Sequence, residues 1–435
     1  MNFVLFLILN AVLLLRPEEV FPGITGGLRL YLIVIIACVV TSLPGIIARL
    51  TPDALRERPI GVCVLGLWAA GFLSHFVYRW RPEEGMDFAG EFGKVVLYYF
   101  LLVSVVTSAG RFRVFVGWLV LCIVASSTLA LLDYHGYVEI PAIQPALQGE
   151  IDPQTGESFI LERLTSSGIY SDPNDLCLAL VFGMLACTYL AISGAGIFRL
   201  AWLLPIIPIG YAFVLTYSKG GMLGLLAGVS AWLFARYGGK RSVPLAAVVA
   251  IGLVAVVGGR QGELDGGGTA HQRVMVAGEG IRDLVTNSRC LINGLGVDYY
   301  FENFGVVAHN SFISAYIETG LLGGGFFLGA FYVAGRLVYA YGGGLPPVDW
   351  ARVARPFLFA AVVAYAAGAY SISRQFVLPT YVTLGLASAY FELTLPELPV
   401  GHRVSAAWFR WLAVLSVLGL VVLKFVTQGL GMLGV

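Results

Sequence analysis

The chain has 435 residues, of which 58% are hydrophobic, 13% aromatic and only 12% charged, with a mean hydropathy of +0.82. Soluble domains carry about 25% charged residues, so an ordinary soluble enzyme is excluded, and so is a disordered chain, which needs low hydrophobicity. The 27 Lys and Arg against 26 Asp and Glu leave a formal net charge of +1, which gives no general attraction to nucleic acid.

A membrane-spanning helix takes about 20 apolar residues. Apolar runs bounded by charge, Pro or Gly fall, in chain order, at 2–15, 28–48, 59–78, 92–108, 112–132, 174–193, 199–217, 220–236, 242–258, 310–334, 356–372, 376–393 and 407–427. The runs are long and continuous, unlike the alternating strands of a barrel. They predict an all-α polytopic membrane helix bundle of about 12–13 transmembrane helices, with residues 1–435 as a single integral membrane domain. The opening MNFVLFLILNAVLLLRP has no basic n-region and no small-residue cleavage site, so it reads as a first span rather than a removable signal. Five of the six cysteines lie inside apolar runs and no CxxC occurs, so neither a disulfide framework nor a metal site is expected.

Lys and Arg in short loops set orientation. With the N-terminus inside, the cytoplasmic loops hold Arg49, Arg56, Arg58, Arg111, Arg113, Arg199, Arg236, Lys240, Arg241, Arg336, Arg352 and Arg355. The short outer loops hold fewer, namely Arg16, Arg79 with Arg81, and Arg374. Two long segments, 133–173 and 259–309, are then expected on the outer face, and loops of such length are commonly functional. The second begins in the Gly-rich stretch 258–268, which reads as flexible. Residues 270–287 read as an amphipathic helix, with Val274, Val276, Ile281, Leu284 and Val285 mostly on one side. Such a helix is expected to lie on the outer membrane surface. Residues 291–305 read as a Gly/Asn turn and an aromatic patch suited to the interface.

Three places put polar groups at outer helix ends. In the first, Asp172-Pro173-Asn174-Asp175 opens a helix with an acidic cap and Pro in the first turn. Capping accounts for Asp172 and Pro173, whereas Arg163, beside a Ser/Thr cluster, is a candidate to hold phosphate or carbohydrate. In the second, Ser218-Lys219-Gly220-Gly221 forms a tight turn between spans. Lys219 is either a snorkelling lysine or an anion-facing cation at a helix N-terminus. In the third, His309 stands at the start of a span, with Asn310 and Ser311 as possible caps and Glu318 farther along the same helix. An acid inside a span is costly and marks a functional site by default; the structural alternative is a buried Arg partner, or backbone at the Gly320–Gly325 stretch. Gly320 and Gly323–Gly325 read most simply as close helix packing. Arg163, Lys219, Arg273 and His309, all expected on one face, point to a polyanion such as a diphosphate, which Arg grips bidentately and Lys meets as a point charge. Since the sequence carries no metal-ligand spacing, protein cations are expected to neutralise that anion, with no metal and no cofactor.

These motifs, in this order, resemble the O-antigen ligase and O-antigen polymerase-like family of integral membrane glycosyltransferases. The resemblance lies in the helix start from Arg163 to Asn174, the turn Ser218-Lys219-Gly220, and Arg273 followed by Gly294-Leu295-Gly296, His309-Asn310 and Glu318-Thr319-Gly320-Leu321-Leu322-Gly323. It covers about residues 160–330 by motif and the whole chain by span pattern. One departure is Lys219, where the family usually has Arg; charge is kept and the bidentate fork is lost. The resemblance implies a transferase in the bacterial inner membrane with its site facing the periplasm. The donor would be a glycan on undecaprenyl diphosphate, and the acceptor a hydroxyl of lipid A core, another glycan or a protein. Catalytic roles would fall to His309, Arg273 and Lys219: His309 as general base toward the acceptor, or as a phosphate ligand, and the two cations on the diphosphate. Arg163, Asp172, Asn174, Asn310 and Glu318 would serve substrate binding. Ligase and polymerase share this chemistry and differ in acceptor. A transporter or flippase for lipid-linked glycans is the alternative of another class; it calls for charges spread through the membrane depth and an inverted repeat, neither of which the sequence displays.

Overall fold

A computed structural model of the chain describes residues 1–21, 23, 29–78, 80–151, 158–257, 269–340, 349–395 and 402–432. Arg79 and the Gly-rich stretch 258–268 lie outside the described residues, as does the side chain of Arg273, whose backbone is helical. In chain order the helices are α1 (Asn2–Leu15), α2 (Pro17–Val20), α3 (Leu30–Leu50), α4 (Pro52–Arg56), α5 (Pro59–Val77), α6 (Pro82–Val105) and α7 (Ala109–Tyr134). A hairpin of β1 (Ala146–Ile151) and β2 (Ser158–Arg163) follows, then α8 (Pro173–Ser193), α9 (Ile206–Leu215), α10 (Lys219–Tyr237) and α11 (Gly239–Val257). The remainder is α12 (Thr269–Thr286), α13 (Tyr299–Phe304), α14 (Ser311–Ala340), α15 (Asp349–Ala369), α16 (Leu378–Thr394) and α17 (Ala406–Met432).

This is an all-α polytopic membrane bundle. Each apolar run read from the sequence is helical over most of its described residues, 199–217 being divided between the 3-10 helix Ile197–Leu203 and α9; among the described residues nine helical segments, with Ile197–Leu215 counted as one, are long and apolar enough to cross a membrane. Four further predicted spans are the helices α1, α10, α11 and α16. Helices dominate because hydrocarbon supplies no hydrogen-bond partner for the backbone. Their starts are local: Thr51, Ser108, Asp172 and Ser218 each cap a helix by accepting from a backbone N–H, and Pro opens α2, α4, α5 and α8, where its missing N–H costs nothing. The exposed side chains of α3 include Ile33, Ile36, Val40, Leu43 and Ile47, and those of α17 include Val414, Val417, Leu418, Val421 and Val422. Such apolar outer faces suit lipid and not water.

By packing, the chain divides into two compact units. The first comprises Met1–Leu43, Val105–Gly262 and Pro347–Ala364. Here Tyr189 of α8 stacks on Phe357 of α15 with ring centroids 5.0 Å apart. A Cβ at Gly221 of α10 would lie 2.0 Å from the Cys177 Sγ of α8, and one at Gly228 would lie 2.9 Å from the Ala364 Cβ. Small residues thus bring these helices into close contact, as membrane packing requires. The β1–β2 hairpin pairs Ala146 with Arg163. No alternating run announced it in the sequence, because neither ALQGEI nor SFILER alternates apolar with polar residues.

The second unit comprises Pro44–Ser104, Glu263–Pro346 and Tyr365–Val435. The stripe predicted on α12 is present in part: Val276, Ile281 and Leu284 are buried together with Ala277, whereas Val274 is half-buried and Val285 is exposed. It faces protein, in a cluster that includes Ile313, Tyr316 and Ile317 of α14 and Leu420 of α17. At one end of α16, Glu392 accepts from Arg49 Nη2 at 2.9 Å and Arg58 Nε at 2.6 Å. The three side chains keep 15–26% exposure. Removing one partner of a buried ion pair costs about 3–5 kcal/mol. With this residual exposure, Glu392→Ala is expected at the low end, about 3 kcal/mol, as a lower melting temperature in detergent; an unchanged melting temperature would deny the cluster a structural role.

The helix α14 is broken at Gly320, where φ is 66° and ψ −166°. The sequence reading took this glycine as a packing residue, and the structure makes it a backbone break. The freed groups find partners in the segment Leu291–Gly296. Leu295 N donates to Ile317 O at 2.8 Å, Gly296 N to Glu318 O at 3.1 Å, Leu321 N to Leu291 O at 2.9 Å and Leu322 N to Ile292 O at 3.0 Å. Non-helical backbone at membrane depth persists only where protein satisfies it in this way. Gly325 does pack closely, its hypothetical Cβ lying 2.6 Å from the Ser416 Cβ of α17.

Candidate functional site

In the first unit the sequence-predicted residues meet at the starts of α8 and α10. Asp172 caps α8, its Oδ1 accepting from Asn174 N at 2.7 Å. Asn174 Oδ1 accepts from Arg163 Nη2 at 3.1 Å and from Ser218 Oγ at 2.7 Å. Arg163 donates through Nε to Thr216 O at 2.8 Å and through Nη1 to Gln148 Oε1 at 3.2 Å. Ser218 in turn caps α10 by accepting from Gly221 N at 3.0 Å. Arg163 therefore ties the β-hairpin to two helix starts, and Asn174 is the hub. Lys219 is the first residue of α10 and is exposed. This arrangement holds a cation at a helix N-terminus, where unpaired backbone N–H groups add positive character.

In the second unit a cavity of about 160 Å³ opens beside the start of α14. Its walls include Asp298, Tyr300, Ser314, Glu318, Arg374 and Gln375. Glu318 is 6% exposed and accepts from Gln375 Nε2 at 2.8 Å. The turn carrying Gln375 is pinned from both sides. Ser311 Oγ accepts from Arg374 N at 2.8 Å, Thr380 Oγ1 donates to Arg374 O at 2.7 Å, and Tyr381 Oη donates to Gln375 O at 2.7 Å. Two buried polar atoms on the cavity-lining residues, Tyr300 Oη and Gln375 Oε1, have no hydrogen-bond partner. Buried polar groups are rarely left so.

Asp298 sits in the left-handed region with φ 66°. Burial pushes its carboxyl above the ordinary carboxylate range, and the Glu302 and Glu84 carboxylates push the same way. A carboxyl raised on folding binds its proton more tightly than the unfolded chain does. Stability therefore falls as pH rises from the unfolded value near 4 through the folded one. Asp298→Asn, which tolerates the left-handed backbone, is expected to flatten that slope and leave stability higher at pH 7; melting temperatures at pH 4 and pH 7 would check it, and an unaltered slope would contradict it.

Of the residues singled out from sequence in this unit, Glu318 lines the cavity. Asn310 caps α14, its Oδ1 accepting from Phe312 N at 3.0 Å and Ile313 N at 3.1 Å. His309 is half-buried and has a positive φ of 50°. It follows Ala308, a wall residue of the cavity. Sequence reasoning missed Tyr300 and Gln375. Arg374 was visible as a loop cation, and its position beside a glutamine in a turn between two spans was the available signal for Gln375. Neither the known family models nor the curated proteins contain a match to this chain.

Proposed function

We propose that this chain is a glycan transferase of the O-antigen ligase type, in the bacterial inner membrane with its site facing the periplasm. It takes a glycan from undecaprenyl diphosphate and passes it to a hydroxyl of lipid A core, another glycan or a protein. The observation that carries this is the ordered set of motifs in the sequence, together with the hydrogen bonds that join motifs distant in the chain. Arg163, Asn174 and Ser218 are linked in one unit, and Gly296 is linked to Glu318 in the other.

The acceptor oxygen attacks the anomeric carbon, the bond from that carbon to the diphosphate oxygen breaks, and lipid diphosphate leaves. His309 takes the acceptor proton, a role suited to a group whose ordinary pKa is near neutrality. Lys219 and Arg273 neutralise the charge that grows on the leaving oxygen, and fixed cations placed for that charge contribute several kcal/mol. Arg163, already spent on Thr216, Gln148 and Asn174, acts chiefly by positioning the start of α10 and Lys219.

The test is transfer from a purified undecaprenyl-diphosphate glycan by the full chain in liposomes, in EDTA, to separate acceptors. Appearance of glycan on lipid A core or protein supports a ligase, and lengthening of the lipid-linked glycan a polymerase. No transfer to any acceptor, or transfer that needs a divalent metal, would overturn the proposal.

A further inference from the structure

We propose that the second unit holds the phosphodiester headgroup of an anionic phospholipid, with Arg58 as the anchor. The inference is independent of the transferase reading. The pocket concerned, of about 120 Å³, is formed by Arg58 and Ile60 at the start of α5, Leu337 late in α14, and Phe391 and Glu392 at the end of α16. It therefore lies at the opposite end of α14 from the cavity described above. Charge comes first. Glu392 is shared by Arg49 and Arg58, so the three side chains carry one uncompensated positive charge. Glu57, also in the wall, is offset by Arg403, whose Nε lies 2.8 Å from Glu57 Oε1. A wall with one cation in excess favours an anion.

Geometry then supplies the donor. Arg58 donates through Nε to Glu392 at 2.6 Å and through Nη1 to Ala54 O at 2.9 Å, which fixes the plane of the guanidinium. Its Nη2 has no partner among the described residues and is not enclosed, since the side chain keeps 26% exposure. A guanidinium held on two sides with N–H groups still accessible is prepared for the oxygens of a phosphate. The rest of the wall indicates the source of that phosphate. Ile60, Leu337, Phe391 and Leu395 are apolar. A free phosphate gains nothing from such surface, whereas the glycerol and first methylenes of a lipid do. The setting agrees. α5 and α14 are both long and apolar enough to span a membrane. Arg49, Arg56, Arg58 and Arg336 assign this end to the cytoplasm by the Lys/Arg rule. Basic pockets between spans on that side suit anionic headgroups.

The experiment titrates phosphatidylglycerol and phosphatidylcholine onto the full chain in detergent and counts bound lipid by native mass spectrometry. The wild type is expected to bind phosphatidylglycerol about tenfold or more tighter than phosphatidylcholine, and Arg58→Gln to lose about tenfold of that affinity, in line with one lost charge-assisted hydrogen bond. Leu395→Trp fills the pocket without touching a charge and is expected to weaken binding likewise; melting temperatures identify which variants are folded. Arg56 is the control. It pairs with Asp53, its side chain is 68% exposed and it is not in the wall, so Arg56→Gln removes the same charge and is expected to leave the affinity unchanged. Equal binding of the two lipids by the wild type would overturn the inference. So would wild-type affinity in folded Arg58→Gln or in folded Leu395→Trp. A loss in Arg56→Gln as large as that in Arg58→Gln would show diffuse attraction to an anionic surface and would overturn it too. Displacement of phosphatidylglycerol by inorganic phosphate at equal concentration would assign the pocket to a soluble anion and overturn the lipid.

Discussion

Gly320→Ala is expected to destabilise the chain by roughly 3 kcal/mol or more, seen as a large fall in melting temperature and in the yield of monodisperse protein. Two independent costs add. The backbone at φ 66° and ψ −166° belongs to a region essentially confined to glycine, and forcing another residue there costs about 1–3 kcal/mol. An added Cβ would also lie 2.3 Å from Ile292 O and 2.5 Å from Gly294 N, both backbone atoms that have no flexible end to move aside. Relief would require Leu291–Gly296 to separate from Ile317–Leu322, breaking the hydrogen bonds that satisfy the helix break. Each buried group left unpaired costs about 1–3 kcal/mol. The same reasoning applies from the other side of the contact, because a Cβ at Gly294, where φ is 85°, would lie 2.2 Å from Glu318 O. Gly90 in α6 is the control, since its Cβ would meet nothing within 4 Å; Gly90→Ala is expected to be neutral or up to about 1 kcal/mol stabilising. A Gly320→Ala protein that melts like the wild type would show that the break is not required.

His309→Ala is expected to lower transfer by about 10²–10⁴-fold, the usual range for a positioned acid–base group, with the protein level unchanged. The protein level is expected to hold because the helix start is secured by its neighbour. Asn310 supplies the cap to α14 through Phe312 N and Ile313 N, so the histidine ring is not needed for it. The positive φ at His309 costs Ala little more than it costs His. His309→Gln separates the two chemical roles. A glutamine keeps hydrogen bonding and cannot take a proton, so a base is lost in both variants, whereas a phosphate ligand survives in part in His309→Gln. Rates measured under single-turnover conditions would distinguish them, and wild-type turnover by His309→Ala would remove the residue from the mechanism.

The legible parts of this protein share one property: they depend on residues near each other in the chain. Asp172, Ser218 and Asn310 are caps because each lies two or three residues before the N–H it accepts from. The apolar stripe of α12 was readable in part from its helical period, but the membrane surface was expected to cover it, and Ile317 of α14 and Leu420 of α17 do so instead, because the period does not tell lipid from protein. Gln375 was not legible as the partner of Glu318, because the two are 57 residues apart and no periodicity spans that distance. Tyr300 read as an interfacial aromatic, since an aromatic patch near a span carries the same pattern whether its hydroxyl meets water or, as here, is buried against Gly280 of α12.

From sequence alone, composition and run length determined the solvent, the helical class and the position of the spans, because a backbone in hydrocarbon has few ways to satisfy itself. Tertiary structure decided the rest. It made Gly320 a backbone break packed against Leu291–Gly296 rather than a contact between helices, joined Arg163 to Asn174 and Ser218, and buried Tyr300 Oη and Gln375 Oε1 without a hydrogen-bond partner. Each of those outcomes depends on which distant segment supplies a hydrogen-bond partner, or fails to, and that is settled when the helices pack.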